Sequence, residues 1–203
     1  ENNLHSLFEV ISGKAQANNG NVWLDGENII SNKKIARRMC YLSKDLTFNK
    51  TYTIKRIFRK MHRLYPKWDK NYSYTLLKTF NLNINSFYGS LSKEQECIWK
   101  GVIALASRAN ITILENPLND ANLKERYVFF NEVYKNHELY PRTFIMSTKF
   151  IDEISYLVDH ILFVDKGNVT FKNVLTSSHP RSFAAAINEL SILDNDVYIS
   201  RII

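Results

Sequence analysis

The sequence has little cysteine and no long hydrophobic run. Cys40 and Cys97 are the two cysteines among 203 residues, each in an apolar neighbourhood and neither with the spacing of a metal site. They are predicted to be core thiols, which fits a reducing compartment. No segment approaches the ~20 apolar residues of a membrane helix, and the first residues lack a signal-peptide pattern. The chain contains no internal repeats and no low-complexity linkers. Its length is sufficient for one hydrophobic core of ordinary size and a subdomain.

Acidic residues are scarce in one region of the chain. The net charge is +7, and a block of basic residues contains only Asp45 and Asp69 as counter-charges. Such a block favours nucleic acid, anionic lipid or an acidic partner, and a solvated basic face is the alternative. The basic residues of the block are Lys33, Lys34, Arg37, Arg38, Lys44, Lys50, Lys55, Arg56, Arg59, Lys60, Arg63, Lys67 and Lys70.

The clearest pattern, between Ser90 and Arg126, predicts a helix, a buried strand and a second helix. Ser92 stands three residues before Gln95, which is the spacing of a capping box. Apolar residues then repeat at helical spacing. Residues 111–114 form a short apolar, mostly β-branched run that is typical of a strand covered on both faces.

The rest of the chain predicts a mixture of helices and strands, with no simple repeat. One helix is expected over Leu4–Ser12, with Asn3 as its N-cap and Gly13 as its end. Further predicted elements are strands at Val22–Leu24 and Arg38–Leu42, a mainly helical region at 51–87 interrupted at 65–69, a helix at Leu123–Glu138, a strand at Arg142–Met146, a hairpin of Ile161–Val164 with Val169–Phe171, and a helix and tail after Val174.

This order of elements resembles the second half of an ATP-binding subunit of an ABC transporter. In that family a signature L-S-G-G-Q opens a helix, a strand ends in D-E-P, and a T-x-G-L-D loop follows. Here these places read Leu91-Ser92-Lys93-Glu94-Gln95, Glu115-Asn116-Pro117 and Leu118-Asn119-Asp120-Ala121-Asn122. The segments L-Y-P-K-W-D at 64–69 and L-L-K-T-F-N-L at 76–82 resemble a branch of the family encoded beside GntR-type regulators. That branch includes exporters of amphipathic peptide toxins.

The resemblance implies an altered nucleotide site. Asn3, Leu4, His5 and Ser6 stand in the place of the phosphate loop, where the family has a Lys that reaches the phosphates and a hydroxyl that binds Mg²⁺. Lys44 replaces a Gln, and Glu115 remains as the candidate Mg²⁺ ligand. At the remaining functional positions Asn116 replaces the catalytic Glu, Lys149 the switch His and Asn122 the Asp of the loop, so no catalytic residue is intact.

The fold implied by the resemblance is α/β: a P-loop NTPase-like core with a mostly parallel sheet and an inserted helical subdomain. Residues 1–48 and 107–172 would form the core, 49–106 the helical subdomain and 173–203 a C-terminal extension. A complete cassette subunit has several strands before the point where this sequence begins, so the N-terminal strands are expected to be missing from this chain.

The implied function is that of a degenerate nucleotide-binding subunit, a pseudo-ATPase that couples to or regulates a transmembrane partner of a peptide exporter. We expect weak or absent ATP and Mg²⁺ binding, a homo- or heterodimer with another nucleotide-binding subunit, and a peripheral place on the cytoplasmic face of the membrane. One alternative is a genuine ATPase whose phosphate loop lies upstream of Glu1. A third interpretation is a basic regulatory or nucleic-acid-binding module, which is disfavoured because aromatic residues are not interleaved with the basic run.

Overall fold

A mixed six-stranded sheet with helices packed around it organises the chain in this computed structural model. The structure describes residues 2–30, 33–148, 151–158, 160–165, 168–173 and 198–202. The sheet order is β3-β4-β5-β8-β6-β7. The strands are β3 (Met39–Leu42), β4 (Ile111–Glu115), β5 (Thr143–Thr148), β6 (His160–Asp165), β7 (Asn168–Asn173) and β8 (Tyr198–Ile202), and a separate hairpin pairs β1 (Trp23–Leu24) with β2 (Glu27–Asn28).

Strands β3, β4 and β5 are parallel, as the resemblance predicted. Their side chains are almost all buried, which explains why residues 111–114 read as a continuous apolar run. The hairpin β6–β7 is antiparallel and also agrees with the prediction. Strand β8 was not predicted. It lies between β5 and β6, antiparallel to both, so part of the expected C-terminal tail belongs to the sheet. The helix predicted after Val174 lies outside the described residues.

Helix α1 (Asn2–Ile11) packs on the sheet and ends at Gly13, which has φ +74°. The prediction of Asn3 as N-cap was wrong, because the helix already begins at Asn2. A smaller core forms between this helix and the outer face of β3 and β4. Its fully or largely buried members are Leu4, Phe8, Ile29, Ile35, Met39, Tyr41 and Ile113.

Three helices form a lobe that packs against β3 and β4. They are α3 (Ile54–Leu64), α4 (Lys70–Thr79) and α5 (Lys93–Ala106), and Trp99 of α5 is fully buried among the rings of Phe48, Phe58 and Tyr88. Thr53 and Asp69 cap α3 and α4 with their side chains, so the interruption predicted at 65–69 is a short turn between two capped helices.

The remaining helices are α2 (Lys33–Ala36), α6 (Leu123–Leu139) and α7 (Ile151–Ile154), with single 3₁₀ turns at Tyr88–Ser90 and Ser155–Leu157. Helix α6 crosses α5 closely: a Cβ placed on Gly101 would lie 2.6 Å from Phe129 Cε2. The absence of a side chain at Gly101 therefore allows α5 and α6 to pack closely against each other. In the part of the chain that the structure describes, no helix is both long and apolar enough to cross a membrane.

Candidate functional site

Three of the residues predicted for the nucleotide site, His5, Lys44 and Glu115, come together at the carboxyl ends of β3 and β4. Glu115 is the last residue of β4, and the backbone of Lys44 follows β3. His5 lies in the first turns of α1, which packs against β4. The topology therefore brings together residues that are 110 and 71 positions apart in the sequence, and places them where the resemblance puts the phosphate and metal sites.

The carboxylate of Glu115 is surrounded by donors from this chain. Its side chain is 3% exposed. His5 Nδ1 lies 2.9 Å from Oε2 and 3.1 Å from Oε1, and the hydroxyl of Tyr41 donates to Oε2 at 3.0 Å. The Lys44 backbone N–H completes the set at 3.4 Å. Because a carboxylate only accepts hydrogen bonds, the His5 contact requires the ring proton on Nδ1.

Two further contacts fix this cluster. His5 Nε2 lies 3.6 Å from Glu9 Oε1, one helical turn away. The Lys14 ammonium sits over the ring of Tyr41, 4.3 Å from its centroid. Burial and the charge of Glu115 raise the pKa of Tyr41 above its ordinary value, so its phenol stays protonated and donates. The role of Tyr41 was missed in the sequence, where it stands inside an ordinary apolar strand.

The other phosphate-loop positions do not face this carboxylate in the same way. Leu4, in the place of the phosphate-binding Lys, is 5% exposed and belongs to the smaller core. Ser6 is exposed, and Asn3 lies in the first turn of α1. Lys44 is exposed, and its carbonyl accepts a hydrogen bond from Lys100 Nζ at 2.9 Å.

Asn116 stands directly after Glu115 with φ +45°. Asn tolerates this left-handed conformation better than most residues. Its backbone N–H donates to the hydroxyl of Ser147 at 2.9 Å, so the neighbouring strand holds the turn. The carboxamide offers no basic oxygen comparable to a carboxylate. Lys149, which the resemblance places at the switch position, lies outside the described residues.

The signature and loop positions contact each other within the chain. Ser92 and Gln95 form the predicted capping box, with both hydrogen bonds at 3.1 Å. Leu91 is half-buried against the lobe core, and Lys93 is exposed. Glu94 Oε1 accepts from the side chain of Asn122 at 3.0 Å and from its backbone N–H at 3.3 Å. This pairing was missed, because the residues are 28 positions apart.

Asn122 is also the N-cap of α6, where its side chain accepts from the Glu125 N–H at 3.0 Å. Burial and the neighbouring Glu94 carboxylate raise the pKa of Glu125. Arg126, one helical turn after Asn122, forms a bidentate ion pair with Glu153 of α7, at 2.8 and 2.9 Å. The signature helix, α6 and α7 are thereby tied together by polar contacts inside one chain.

The residues at this edge do not fit a magnesium ion. Mg²⁺ takes oxygen ligands in octahedral geometry, whereas the oxygens of Glu115 already accept hydrogen bonds. His5 stands where the resemblance places the hydroxyl ligand, and an imidazole supplies no oxygen. Among the described residues, no group of three or more His, Cys, Asp or Glu side chains could hold a metal. A groove of about 530 Å³ opens beside the cluster, between the sheet and α5, and its lining includes Lys44, Lys93, Glu96 and Lys100.

Comparison with known proteins identifies the fold. No protein-family profile matches the sequence. The structure superposes on an ATP-binding subunit of an ABC transporter with a TM-score of 0.75, at 14% identity, covering 90% of this chain and 82% of the other. A nucleotide-free ATP-binding cassette gives a TM-score of 0.70 at 15% identity, covering 93% of this chain and 81% of the other. The chain therefore has the ATP-binding cassette fold, and the expected fold class is confirmed.

Two further likenesses point to the same class. A dimeric ATP-binding cassette in a post-hydrolysis state, bound to ADP and Pi, superposes with a TM-score of 0.71 at 16% identity over 85% of this chain and 81% of the other. In sequence, the chain is 20% identical over 165 residues to the ABC transporter ATP-binding protein YtrB of Bacillus subtilis (strain 168), covering 81% of this chain. It spans 56% of the length of that relative. Sequence and structure comparisons thus agree on the ATP-binding cassette fold for this chain.

Proposed function

We propose that this chain is a degenerate nucleotide-binding subunit of a membrane ABC transporter, which acts as a pseudo-ATPase. It would transmit or restrain motion in a transmembrane subunit, while a competent nucleotide-binding subunit hydrolyses ATP. The observation that carries the proposal is the occupied carboxylate of Glu115: the His5 imidazole and the Tyr41 phenol hold the oxygens that a metal would need.

The cluster disfavours Mg²⁺·ATP for an energetic reason. A metal ion at Glu115 would have to displace two hydrogen bonds to a charged group, each worth about 1.5–3 kcal/mol. It would gain only one protein oxygen ligand in return. Position 4 supplies no lysine to compensate for this loss, because Leu4 is apolar and its side chain lies in the core.

Hydrolysis is disfavoured independently by Asn116. Loss of a general base typically costs about 10²–10⁴-fold in rate, and the amide cannot take a proton from water at neutral pH. Restoring a carboxylate at this position alone should not restore turnover, because Glu115 would remain bound to His5 and Tyr41.

The surface that the resemblance assigns to a dimer partner is altered as well. Glu94 and Asn122 satisfy each other in one chain, and Glu94 adds negative charge where the family has glycine. A dimer with an intact nucleotide-binding subunit would then have two impaired composite sites. The chain would contribute shape and contacts to such an assembly and little transition-state stabilisation.

The basic face of α3 supports a peripheral position on the cytoplasmic side of the membrane. Its basic residues Lys55, Arg56, Arg59, Lys60 and Arg63 are all exposed. Arg56 and Lys60 stack on the ring of Tyr52, at 3.8 and 4.2 Å from its centroid. This face would meet anionic headgroups or the transmembrane partner. Peptide export as the transport task rests on the branch resemblance.

Phosphate release and membrane co-purification test the proposal together. The chain and its Asn116→Glu variant are expected to release no phosphate from Mg²⁺·ATP above background, and the chain is expected to co-purify from membranes with an integral subunit. Mg²⁺-dependent turnover by the unmodified chain would overturn the pseudo-ATPase proposal and favour the genuine ATPase. Recovery without any integral subunit would overturn the transporter role.

A further inference from the structure

A second cleft lies at the opposite edge of the sheet, at the amino ends of the parallel strands. Arg38, Asn110 and Arg142 immediately precede β3, β4 and β5, whose first residues are paired in register. Hydrogen bonds from the N–H of Ile111 to the carbonyl of Arg38 and from the N–H of Thr143 to the carbonyl of Asn110 align the three positions. We call this feature the amino-edge cleft; it has a volume of about 1180 Å³.

Arg142 is the most unusual residue of the cleft. Its Nη2 donates to the carbonyl of Leu105 at 3.0 Å and to Asn136 Oδ1 at 2.8 Å. Its Nε and Nη1 are buried without any hydrogen-bond partner. Burial and the charge of Arg108 lower the pKa of Arg142 to about 10. A buried guanidinium with two unsatisfied donors is costly unless an acceptor arrives.

Arg108 supplies a second cation at the same place. Its guanidinium stacks over the ring of Tyr140, 3.8 Å from the centroid, and over Tyr72 at 4.6 Å. Its Nη2 is paired with Asp69 at 2.9 Å, while its Nη1 is buried without a partner. The residue itself has φ +50°, which turns the chain back at the end of α5 and directs the side chain to this edge.

Positive charge exceeds negative charge around the cleft. The lining holds Arg38, Lys67, Lys70, Arg108 and Arg142 against Asp25 and Asp69. Both carboxylates are already paired, Asp25 with Arg38 and Asp69 with Arg108. Three positive charges are therefore left without a carboxylate in the lining, which matches a multivalent anion better than a single carboxylate.

Apolar surface lies beside this charge. Ile111 and Ile145 form part of the wall, and Leu139 and Tyr140 stand at the rim with large exposed fractions, 74% and 52%. Ligand sites typically combine such apolar walls with a few convergent polar groups. The cleft thus offers the charge of Arg142 and the unpaired Nη1 of Arg108 for an anion. It also offers an aromatic and aliphatic surface for the attached group.

We propose that the amino-edge cleft binds an organic phosphate monoester whose body is aromatic or apolar. The phosphate would lie among Arg108, Arg142 and Lys70, and the body would contact Tyr140 and the neighbouring aliphatic side chains. The source of the phosphate is a soluble metabolite or a lipid headgroup. This site is independent of the Glu115 cluster, which lies at the other end of the same strands.

Phenyl phosphate is the probe that tests binding of a soluble phosphate monoester, and phenol and inorganic phosphate are the comparison ligands. Calorimetric titration of the full chain should show binding of phenyl phosphate, weaker binding of inorganic phosphate and none of phenol. Arg142→Gln should weaken phenyl phosphate at least about tenfold, the scale of one lost charged hydrogen bond. Lys70→Gln should weaken it about two- to threefold, as expected for an exposed charge.

Matched controls are Lys78→Gln, on the same helix as Lys70 but outside the lining, and Lys100→Gln, in the groove beside Glu115. Both should leave the affinity unchanged. Sedimentation with phosphatidylcholine vesicles containing phosphatidic acid forms the lipid arm. Arg142-dependent binding to the vesicles without binding of phenyl phosphate would assign the phosphate to a headgroup.

Three results would overturn the proposal. They are no binding of either phosphate probe or of the vesicles, equal binding of phenol and phenyl phosphate, and a loss in Lys100→Gln as large as in the cleft variants. If circular dichroism shows that Arg142→Gln does not fold, Lys70→Gln decides the question: an affinity identical to that of Lys78→Gln counts against the cleft.

Discussion

The contact between His5 and Glu115 allows a quantitative test. Removing the donor to a buried polar group typically costs about 1–3 kcal/mol, and more when that group is charged, because it is left without its hydrogen bond. Here Glu115 keeps the Tyr41 hydroxyl and the Lys44 N–H, and the His5 side chain is 26% exposed, so water can reach the gap. We therefore expect His5→Ala to lower the free energy of unfolding by about 1.5–3 kcal/mol.

A double-mutant cycle separates this contact from other effects of the substitution. Urea denaturation of the unmodified chain, His5→Ala, Glu115→Gln and the double variant gives the coupling energy between the two side chains. We expect about 1–2 kcal/mol, within the usual range for residues in contact. In the Glu115→Gln background, His5→Ala should be nearly neutral, because no buried charge is then left without a partner.

Glu9→Gln is the matched control, since it removes the other carboxylate near His5. Glu9 Oε1 lies 3.6 Å from His5 Nε2 and the Glu9 side chain is 37% exposed, so the expected cost is below about 1 kcal/mol. A coupling energy between His5 and Glu115 below about 0.5 kcal/mol would refute the reasoning. So would equal costs of His5→Ala in both backgrounds.

Three further predictions concern the rest of the chain. Burial by itself would raise the pKa of Asp69, but hydrogen bonds from the Tyr72 N–H and its arginine partner leave it lowered. Its carboxylate therefore stabilises the fold above about pH 4. The free energy of unfolding should be about 0.5–1 kcal/mol higher for the unmodified chain than for Asp69→Asn at neutral pH, and this difference should disappear on acidification. Burial raises the pKa of the Cys97 thiol to about 12 and also raises that of Cys40, so both should resist Ellman's reagent at pH 8 until denatured. Gly101→Ala should destabilise the fold by up to about 2 kcal/mol, because overpacking against Phe129 costs about 1–3 kcal/mol and the helix-propensity gain offsets only about 1 kcal/mol of it.

Each of these three predictions has an outcome that would contradict it. Asn at position 69 keeps the capping oxygen for α4, so a pH-independent gap would show that the ion pair is not the cause. Labelling of both thiols in the native chain as fast as in denaturant would contradict the burial argument. If Gly101→Ala raises stability, the close crossing of α5 and α6 is softer than the 2.6 Å contact indicates.

Local patterns predicted much of the fold. The capping box at Ser92, the buried strand at 111–114 and the interruption at 65–69 follow from neighbouring residues, and each is present in the structure. Strand β8 was missed although residues 197–203 are rich in β-branched and aromatic residues, which is a local signal for a strand. Its place between β5 and β6, in contrast, depends on pairing with strands far away in the sequence.

The candidate site was also predictable only in part from local sequence. The positions of Glu115 and Asn116 followed from the strand that precedes them. The pairing of His5 with Glu115, and that of Glu94 with Asn122, required the tertiary arrangement. The resemblance predicts which functional residues of the family are replaced in this chain. Only the structure showed that His5 contacts Glu115 and that Asn122 contacts Glu94.

Calorimetric titration of the chain with ATP, in the presence and absence of Mg²⁺, tests the central claim most directly. The occupied carboxylate of Glu115 predicts no Mg²⁺-dependent binding, and any residual binding should be the same with and without the ion. Tight binding that requires Mg²⁺ and is lost in Glu115→Gln would contradict the account.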